Sequence, residues 1–162
     1  MVWDPHPRGA RPIGDCALVT PNQAEAQRFS LSAAGGQLAG TLRQEWGVTA
    51  VSVTLGARGA MFADQHHGAR HIAPPETAAA GRSDTCGAGD RFSVAAAIAL
   101  SEGADELAAA TAAVAAASRF VATAVWAGDC GDPHSDRPHR GLLLITASRV
   151  IEAARRILEE CA

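Results

Sequence analysis

The sequence predicts an α/β fold in which helices cover a layered sheet, and three observations lead to this prediction. Short strand-like segments alternate along the chain with longer helix-like segments, which is the pattern of a sheet packed between helices. The segment at residues 50–54 is rich in β-branched residues, as in the fully buried strands of parallel sheets. The segments after residue 88 are rich in alanine, which favours helix and allows close packing against a sheet.

The first part of the chain contains two predicted strands and two predicted helices. Residues 2–4 read as a strand from the middle of a sheet that runs into a loop, and residues 17–19 as a second, short strand. The turn Thr20-Pro21-Asn22 then leads into a helix over residues 23–29. Two adjacent glycines break the chain before a second helix over residues 37–46.

The second part of the chain predicts a β-hairpin followed by two helices. Residues 59–63 and 69–73 are strand-like and lie close together in sequence, which favours a hairpin. The polar residues between them include the pair His66-His67, and they fit a hairpin loop better than a metal site. Helices are predicted over residues 88–102 and 105–125, separated by a glycine.

The domain organisation follows from length and composition. A chain of 162 residues is long enough for one core and too short for two typical domains. We predict one domain over residues 1–126. Glycine, aspartate and proline crowd into residues 127–145, which predicts a flexible linker. Residues 146–162 carry apolar side chains at helical spacing and predict a C-terminal amphipathic helix.

Charge and residue usage exclude several classes of function. The formal net charge is −3, so there is no basic excess to attract nucleic acid. No apolar run is long enough to predict a membrane span, and no signal peptide is visible, so we expect a cytoplasmic protein without a membrane partner. The four cysteines are scattered without a Cys-x-x-Cys pair, which argues against a zinc site or a disulfide framework.

The segment at residues 84–90, Asp-Thr-Cys-Gly-Ala-Gly-Asp, is the most informative part of the sequence. Gly87 and Gly89 allow the backbone to bend tightly and to approach a ligand without interference from a Cβ atom. The helix that follows points its free N–H groups and the positive end of its dipole at this turn, which favours a bound anion. Asp90 would lie beside bound phosphate, where a general base for a hydroxyl nucleophile is needed. An ordinary turn with Asp84 as a cap residue is the alternative.

Two further segments give this turn a context. Residues 19–25 read Val-Thr-Pro-Asn-Gln-Ala-Glu, and residues 53–59 read Val-Thr-Leu-Gly-Ala-Arg-Gly. In this order, together with the glycine turn, they resemble the C-terminal half of the ribokinase-like (PfkB) family of sugar and nucleoside kinases. The resemblance runs from about Val2 to Ala124, and it implies a ribokinase-like three-layer α/β/α sandwich.

The resemblance implies ATP and Mg²⁺ as cofactors and a role for each motif. The Asn-x-x-Glu motif organises magnesium and phosphate, the Thr-x-Gly-x-x-Gly motif lies along the nucleotide, and the last aspartate of the glycine turn is the catalytic base. In this sequence the implied metal site is formed by Asn22 and Glu25, the nucleotide site by Thr54, Gly56, Gly59, Asp84 and Thr85, the anion hole by Gly87, Ala88 and Gly89, and the base by Asp90.

One branch of the family fits best. Residues 2–9 and 18–26 resemble the kinase domain of the D-glycero-D-manno-heptose 7-phosphate kinases, which are often fused to a nucleotidyltransferase domain. This resemblance implies that the partners are a nucleotide and a phosphorylated sugar, with another sugar or a nucleoside as alternative acceptors. The helix at residues 146–162 resembles the connection to that second domain, and a helix packed on the body of the protein is an equal alternative.

Family members begin with a strand-rich half that carries the sugar pocket and a lid. The strand expected at residues 2–4 would leave no room for that half in this chain. We therefore expect the C-terminal half only, with little sugar phosphorylation by this chain alone. A non-catalytic remnant that binds nucleotide weakly, or an association module, is the alternative from a different class. The unpaired sheet edge expected near residues 2–4 and 17–19 predicts a homo-oligomer or a complementing N-terminal half as partner.

Overall fold

The computed structural model describes residues 1–6, 8–30, 35–76 and 86–123. The chain divides into two units, Met1–Gly128 and Asp129–Ala162, and all described residues belong to the first. The predicted linker at 127–145 and the predicted helix at 146–162 lie outside the described residues and stay predictions. No helix in the described ranges is both long enough and apolar enough to cross a membrane.

In the part of the chain that the structure describes, five strands form one mixed sheet, and their order in the sheet follows their order in the chain. They are β1 (Val2–Trp3), β2 (Leu18–Val19), β3 (Ala50–Thr54), β4 (Ala60–Asp64) and β5 (Gly68–Ile72). The first three are parallel to one another, whereas β4 and β5 form an antiparallel hairpin on β3. The predicted hairpin is thus confirmed, with each strand displaced by one residue.

In the described residues, four α-helices pack on this sheet: α1 (Gln23–Phe29), α2 (Leu38–Trp46), α3 (Ala88–Ser101) and α4 (Glu106–Thr123). A single 3₁₀ turn precedes α2, and the helix ends at Gly47, whose left-handed φ of 65° lets its N–H bond the carbonyls of Arg43 and Gln44. Asp105 begins α4 because its carboxylate accepts a hydrogen bond from the Ala108 N–H at 2.7 Å. The helices predicted at 23–29, 37–46, 88–102 and 105–125 are confirmed, with ends displaced by at most one residue where the ends lie in the described residues.

The sheet has a separate apolar core on each face, so the unit has three layers. Alternate residues of β3 divide between the faces, as the strand period of two requires. Val51 and Val53 pack against α1 and α2, whereas Ala50 packs with Phe62 against α3 and α4. Half of the ten buried residues of the second core are alanines, three of them from α3 and α4, so small side chains contribute to its close packing. The predicted α/β/α sandwich is therefore confirmed for this part of the chain.

The position of β2 corrects one expectation about the sheet edge. Leu18 pairs with Val2 on one side and with Ala50 on the other, so β2 lies inside the sheet. The prediction of an unpaired edge at residues 17–19 is wrong, because the crossover between β1 and β2 brings the two strands into a parallel pair. The strand β1 lies at one end of the described sheet rather than in its middle.

The turn of the β4–β5 hairpin is organised by a buried carboxylate. Asp64 accepts hydrogen bonds from the N–H groups of His66 and His67 at 2.8 and 2.6 Å, and its other oxygen lies 2.8 Å from Nδ1 of His67. Burial by itself raises the pKa of Asp64. The hydrogen bonds from His67 and His66 lower the pKa by a larger amount, so the net pKa lies below the ordinary value of 3.8.

Replacing Asp64 by alanine is expected to lower the free energy of unfolding at neutral pH by about 2 kcal/mol, since three hydrogen bonds to a buried charge are lost. Because the pKa of Asp64 is lower in the folded chain, its contribution is complete above pH 4 or so and disappears as the pH falls through the folded value. Urea titrations at pH 7 and pH 3 measure both effects. The control Gln65→Ala removes an exposed side chain from the same turn, and an equal loss in the two variants would contradict the prediction.

Candidate functional site

The candidate site lies at the edge of the sheet where the three parallel strands end. Parallel strands place their carboxyl ends at one edge, and open α/β sheets bind ligands there. Asp4 follows β1, Asn22 follows β2, and Thr54 ends β3. Asn22 and Thr54 form an isolated parallel bridge, and the Thr54 N–H donates to the Pro21 carbonyl at 2.9 Å. The first two sequence motifs are therefore neighbours in space.

The Asn-x-x-Glu motif forms a capping box at the start of α1. The Oδ1 atom of Asn22 accepts from the Glu25 N–H at 2.9 Å, and Oε2 of Glu25 accepts from the Asn22 N–H at 2.8 Å. Helix capping by itself explains this pair of residues at this spacing. The carboxylate of Glu25 is half-buried, and the Asn22 residue is exposed, so solvent also reaches this turn.

The Thr-x-Gly-x-x-Gly motif forms a 3₁₀ turn, Gly56–Arg58, in which the two glycines have different surroundings. Both have left-handed φ values, 62° for Gly56 and 83° for Gly59. A Cβ atom on Gly59 would lie 2.1 Å from the carbonyl oxygen of Ile72, whereas a Cβ atom on Gly56 would meet no atom within 4 Å. Close packing on β5 accounts for Gly59, whereas the backbone at Gly56 faces open space.

Two hydrogen bonds hold this turn to its neighbours. The guanidinium of Arg58 donates from Nη2 to Oε1 of Gln23 on α1 at 2.9 Å. The carbonyl of Arg58 lies 2.6 Å from Nε2 of His71 on β5. Together they connect the turn to the helix that carries Glu25 and to the hairpin.

The glycine turn leads directly into α3, as predicted, but its two glycines are not equivalent. Gly87 is the N-cap residue and has a left-handed φ of 81°, which an L side chain rarely adopts. Gly89 lies in the first turn of α3, without a left-handed φ, so the prediction that it helps to bend the chain is wrong. Because Gly87 has no side chain, the N-cap residue itself supplies no side-chain cap. Asp84 and Thr85 lie outside the described residues, so their predicted roles stay predictions.

Asp4 lies near enough to the carboxylates of Glu25 and Asp90 to interact with their charges. Partial loss of hydration raises the pKa of Asp4, although the residue keeps an exposed surface, and the nearby charges of Glu25 and Asp90 raise the pKa further. Glu25 and Asp90 belong to different motifs, so the fold brings these motifs to one place. Asp4 was not among the predicted site residues. Its position directly after a parallel strand was the signal that could have identified it.

The end of β2 and the start of α3 are also joined directly. The hydroxyl oxygens of Thr20 and Ser93 lie 2.9 Å apart, and the Thr20 side chain is buried. Thr20 lies within the motif segment at residues 19–25, but sequence reasoning assigned no role to either hydroxyl, because the contact joins residues 73 positions apart.

The donors at this edge suit Mg²⁺, which takes oxygen ligands and commonly uses only one or two carboxylates together with phosphate oxygens and water. Glu25 offers such a carboxylate and Asn22 an amide oxygen. Within the described ranges, no group of three or more His, Cys, Asp or Glu side chains is arranged to hold a metal ion by itself. This arrangement fits an ion that arrives with a phosphate-bearing ligand.

Comparison of the sequence with known proteins identifies its family. Residues 3–127 match the pattern of the pfkB family carbohydrate kinases. The chain is 45% identical over 130 residues to the bifunctional protein HldE of Streptomyces coelicolor, covering 75% of this chain and 27% of that protein.

Solved structures give the same result for the fold. The chain resembles the ribokinase of Thermotoga maritima with a TM-score of 0.62 and 28% identity, over 75% of this chain and 42% of that one. It resembles Arabidopsis thaliana ribokinase, complexed with ribose and ATP, with a TM-score of 0.58 and 27% identity, over 74% and 40% of the two chains. The predicted ribokinase-like fold is confirmed, and the chain spans less than half the length of each of these three proteins.

Proposed function

Since the chain belongs to the pfkB family of carbohydrate kinases, we propose that it forms the nucleotide-binding and phosphoryl-transfer part of an ATP-dependent sugar kinase. The observation that carries this proposal is the convergence of the Asn22–Glu25 turn and the Asp90 end of α3 at one edge of the sheet. This edge combines the N-terminal end of a helix with carboxylates from two different motifs.

The helix N-terminus would bind the phosphates of ATP. The amides of Gly87, Ala88 and Gly89 lie at the N-terminal end of α3. Their N–H groups therefore have no acceptor within the helix. Such donors, aimed at developing charge, commonly supply a large part of catalysis in group transfer. The 3₁₀ turn at Gly56–Arg58, with Thr54 before it and Gly59 after it, would lie along the nucleotide, and Asp84 and Thr85 would add contacts.

The side chains of Asn22 and Glu25 would hold Mg²⁺ on the ATP phosphates. Bound Mg²⁺ supplies positive charge that neutralises phosphate oxygens. Asp90 would accept the proton of the acceptor hydroxyl, a step that requires a carboxylate beside the phosphates. Phosphorylated heptose is the proposed acceptor, based on the segments at 2–9 and 18–26 and on the identity with the Streptomyces protein. The likeness to ribokinases keeps another sugar or a nucleoside as the alternative.

A second candidate function, an association module, is favoured by exposed apolar residues. Val94 and Ile98 lie one turn apart on α3, and each exposes about half of its surface (51% and 52%). Sedimentation of the chain measures this property directly, and a monomer at all accessible concentrations would contradict an association module.

The phosphate site can be tested with a pair of helical glycines. Gly89→Val is expected to weaken MgATP binding by about ten-fold or more, the equivalent of one lost charge-assisted hydrogen bond, because a side chain would block approach to the first-turn amides. Gly89 is suited to this test, since its Cβ would meet no protein atom within 4 Å. Titration calorimetry with MgATP measures the effect.

The matched control is Gly40→Val, which alters a glycine inside α2 that also has no atom within 4 Å of its Cβ position. This variant should bind MgATP like the unmodified chain. Equal affinities for Gly89→Val and Gly40→Val, or no MgATP binding by the unmodified chain, would contradict the proposed function.

A further inference from the structure

We propose that the hydrogen bond between Thr20 and Ser93 is a positioning device that fixes the start of α3, and with it Asp90, against the carboxyl end of β2. The inference rests on the proposed function, since it assigns these two hydroxyls to the same phosphoryl-transfer site. Neither side chain needs to touch a ligand, because the effect is transmitted through the helix backbone.

Thr20 is buried and takes part in the backbone hydrogen bonding of the sheet. Its residue is only 4% exposed, and its N–H donates to the Trp3 carbonyl at 2.9 Å, which continues the pairing between β1 and β2. Two residues later the chain reaches Asn22, the N-cap of α1. The Thr20 hydroxyl therefore sits on the same rigid segment as the proposed metal site.

Ser93 lies in the first turns of α3, three residues after Asp90. Its hydroxyl lies 2.9 Å from the Thr20 hydroxyl and 3.2 Å from the carbonyl oxygen of Gly89, to which it can donate. The contact thus reaches the glycine turn itself. A shift of α3 along its axis would break the hydrogen bond between the two hydroxyls.

Each hydroxyl carries one proton, so the chain of bonds has two complete arrangements. In one, Ser93 donates to Thr20 and Thr20 donates to the Trp3 carbonyl, 3.4 Å away. In the other, Thr20 donates to Ser93 and Ser93 donates to the Gly89 carbonyl. Both arrangements contain the bond between the two hydroxyls, and loss of either hydroxyl removes it.

Among the described residues, the buried side chains of α3 make apolar contacts that do not give this directional restraint. Phe92 and Ala96 are the buried residues of the helix, and they pack in the apolar core. Apolar packing is non-directional and depends mainly on buried area. A hydrogen bond requires a narrow range of distance and angle, so it defines the register of the helix on the sheet.

The experiment compares Thr20→Val, Ser93→Ala and the double variant in the full chain. Exchange of the Arg91 amide, which donates to the Gly87 carbonyl at 2.9 Å, reports on the first turn of α3. MgATP affinity reports on the site. We expect each single variant to accelerate Arg91 exchange and to weaken MgATP binding by about three- to ten-fold, the equivalent of one net hydrogen bond.

The double variant should be no worse than either single variant, because the two hydroxyls share one interaction. Thr20→Ser keeps the hydroxyl and should keep both properties. Ser101→Ala is the matched control, since Ser101 donates to the Ile98 carbonyl at 2.7 Å near the other end of α3. It should change neither Arg91 exchange nor MgATP affinity.

The outcomes separate this inference from the proposed function. If the unmodified chain does not bind MgATP, the proposed function fails. If it binds MgATP and the Thr20 and Ser93 variants bind equally well, the hydroxyl pair is only structural and the positioning inference is overturned. Additive effects in the double variant would also overturn it, because the two residues would then act separately.

Discussion

Asp90→Asn is expected to lower the turnover of a complete kinase containing this chain by about a hundred- to ten-thousand-fold, the usual contribution of a general base. The proposed role of the carboxylate is on the acceptor hydroxyl and not on the nucleotide. MgATP affinity should therefore stay nearly unchanged, so that the loss appears in kcat. Steady-state kinetics with heptose 7-phosphate, together with MgATP calorimetry, measures the two quantities.

The control must account for the helix dipole, because Asp90 also places a negative charge in the first turn of α3. Glu106 occupies the first turn of α4 in the same way, so Glu106→Gln removes an equivalent charge away from the proposed site. That variant should keep its turnover. Undiminished turnover in Asp90→Asn would remove Asp90 from the mechanism, and an equal decrease in both variants would indicate a loss of helix stability instead.

Gly59→Ala is expected to destabilise the folded chain by about 3 kcal/mol or more, from overpacking and a strained backbone. The added methyl group would lie 2.1 Å from the Ile72 carbonyl oxygen, and the position has a left-handed φ of 83°. Both strands of the hairpin adjoin this contact, so the backbone cannot relax without loss of pairing. Thermal or urea unfolding measures the change.

Gly56→Ala is the matched control for this prediction. Gly56 belongs to the same turn and has a similar left-handed φ of 62°, but its Cβ position is open. Only the conformational penalty remains there, about 1 kcal/mol. Equal destabilisation by the two substitutions would show that the contact with Ile72 has no energetic consequence.

Local patterns predicted the elements well where a local interaction determines them. The helix α1 begins at the predicted residue because Pro21 and the capping box of Asn22 and Glu25 fix its start within five residues of sequence. Gly47 likewise ends α2 through a left-handed cap. These signals need no knowledge of the tertiary fold.

The parts that were missed depend on contacts between distant segments. The hydroxyl pair of Thr20 and Ser93 forms only when α3 packs across the sheet, so no spacing in the sequence reveals it. Gly59 was assigned to the nucleotide by resemblance, but its contact with Ile72 gives a packing reason that the motif alone does not contain. Asp4 becomes a neighbour of Glu25 and Asp90 only through the parallel pairing of β1 and β2.

The agreement between sheet order and chain order has a consequence for synthesis on the ribosome. Each strand from β2 to β5 pairs with the strand made just before it, so the sheet can grow by successive additions as the polypeptide emerges. The start of α3 must then return to the earliest strands, which is a closure of long sequence separation and therefore slow. On this view the proposed phosphate site forms after the strands that support it.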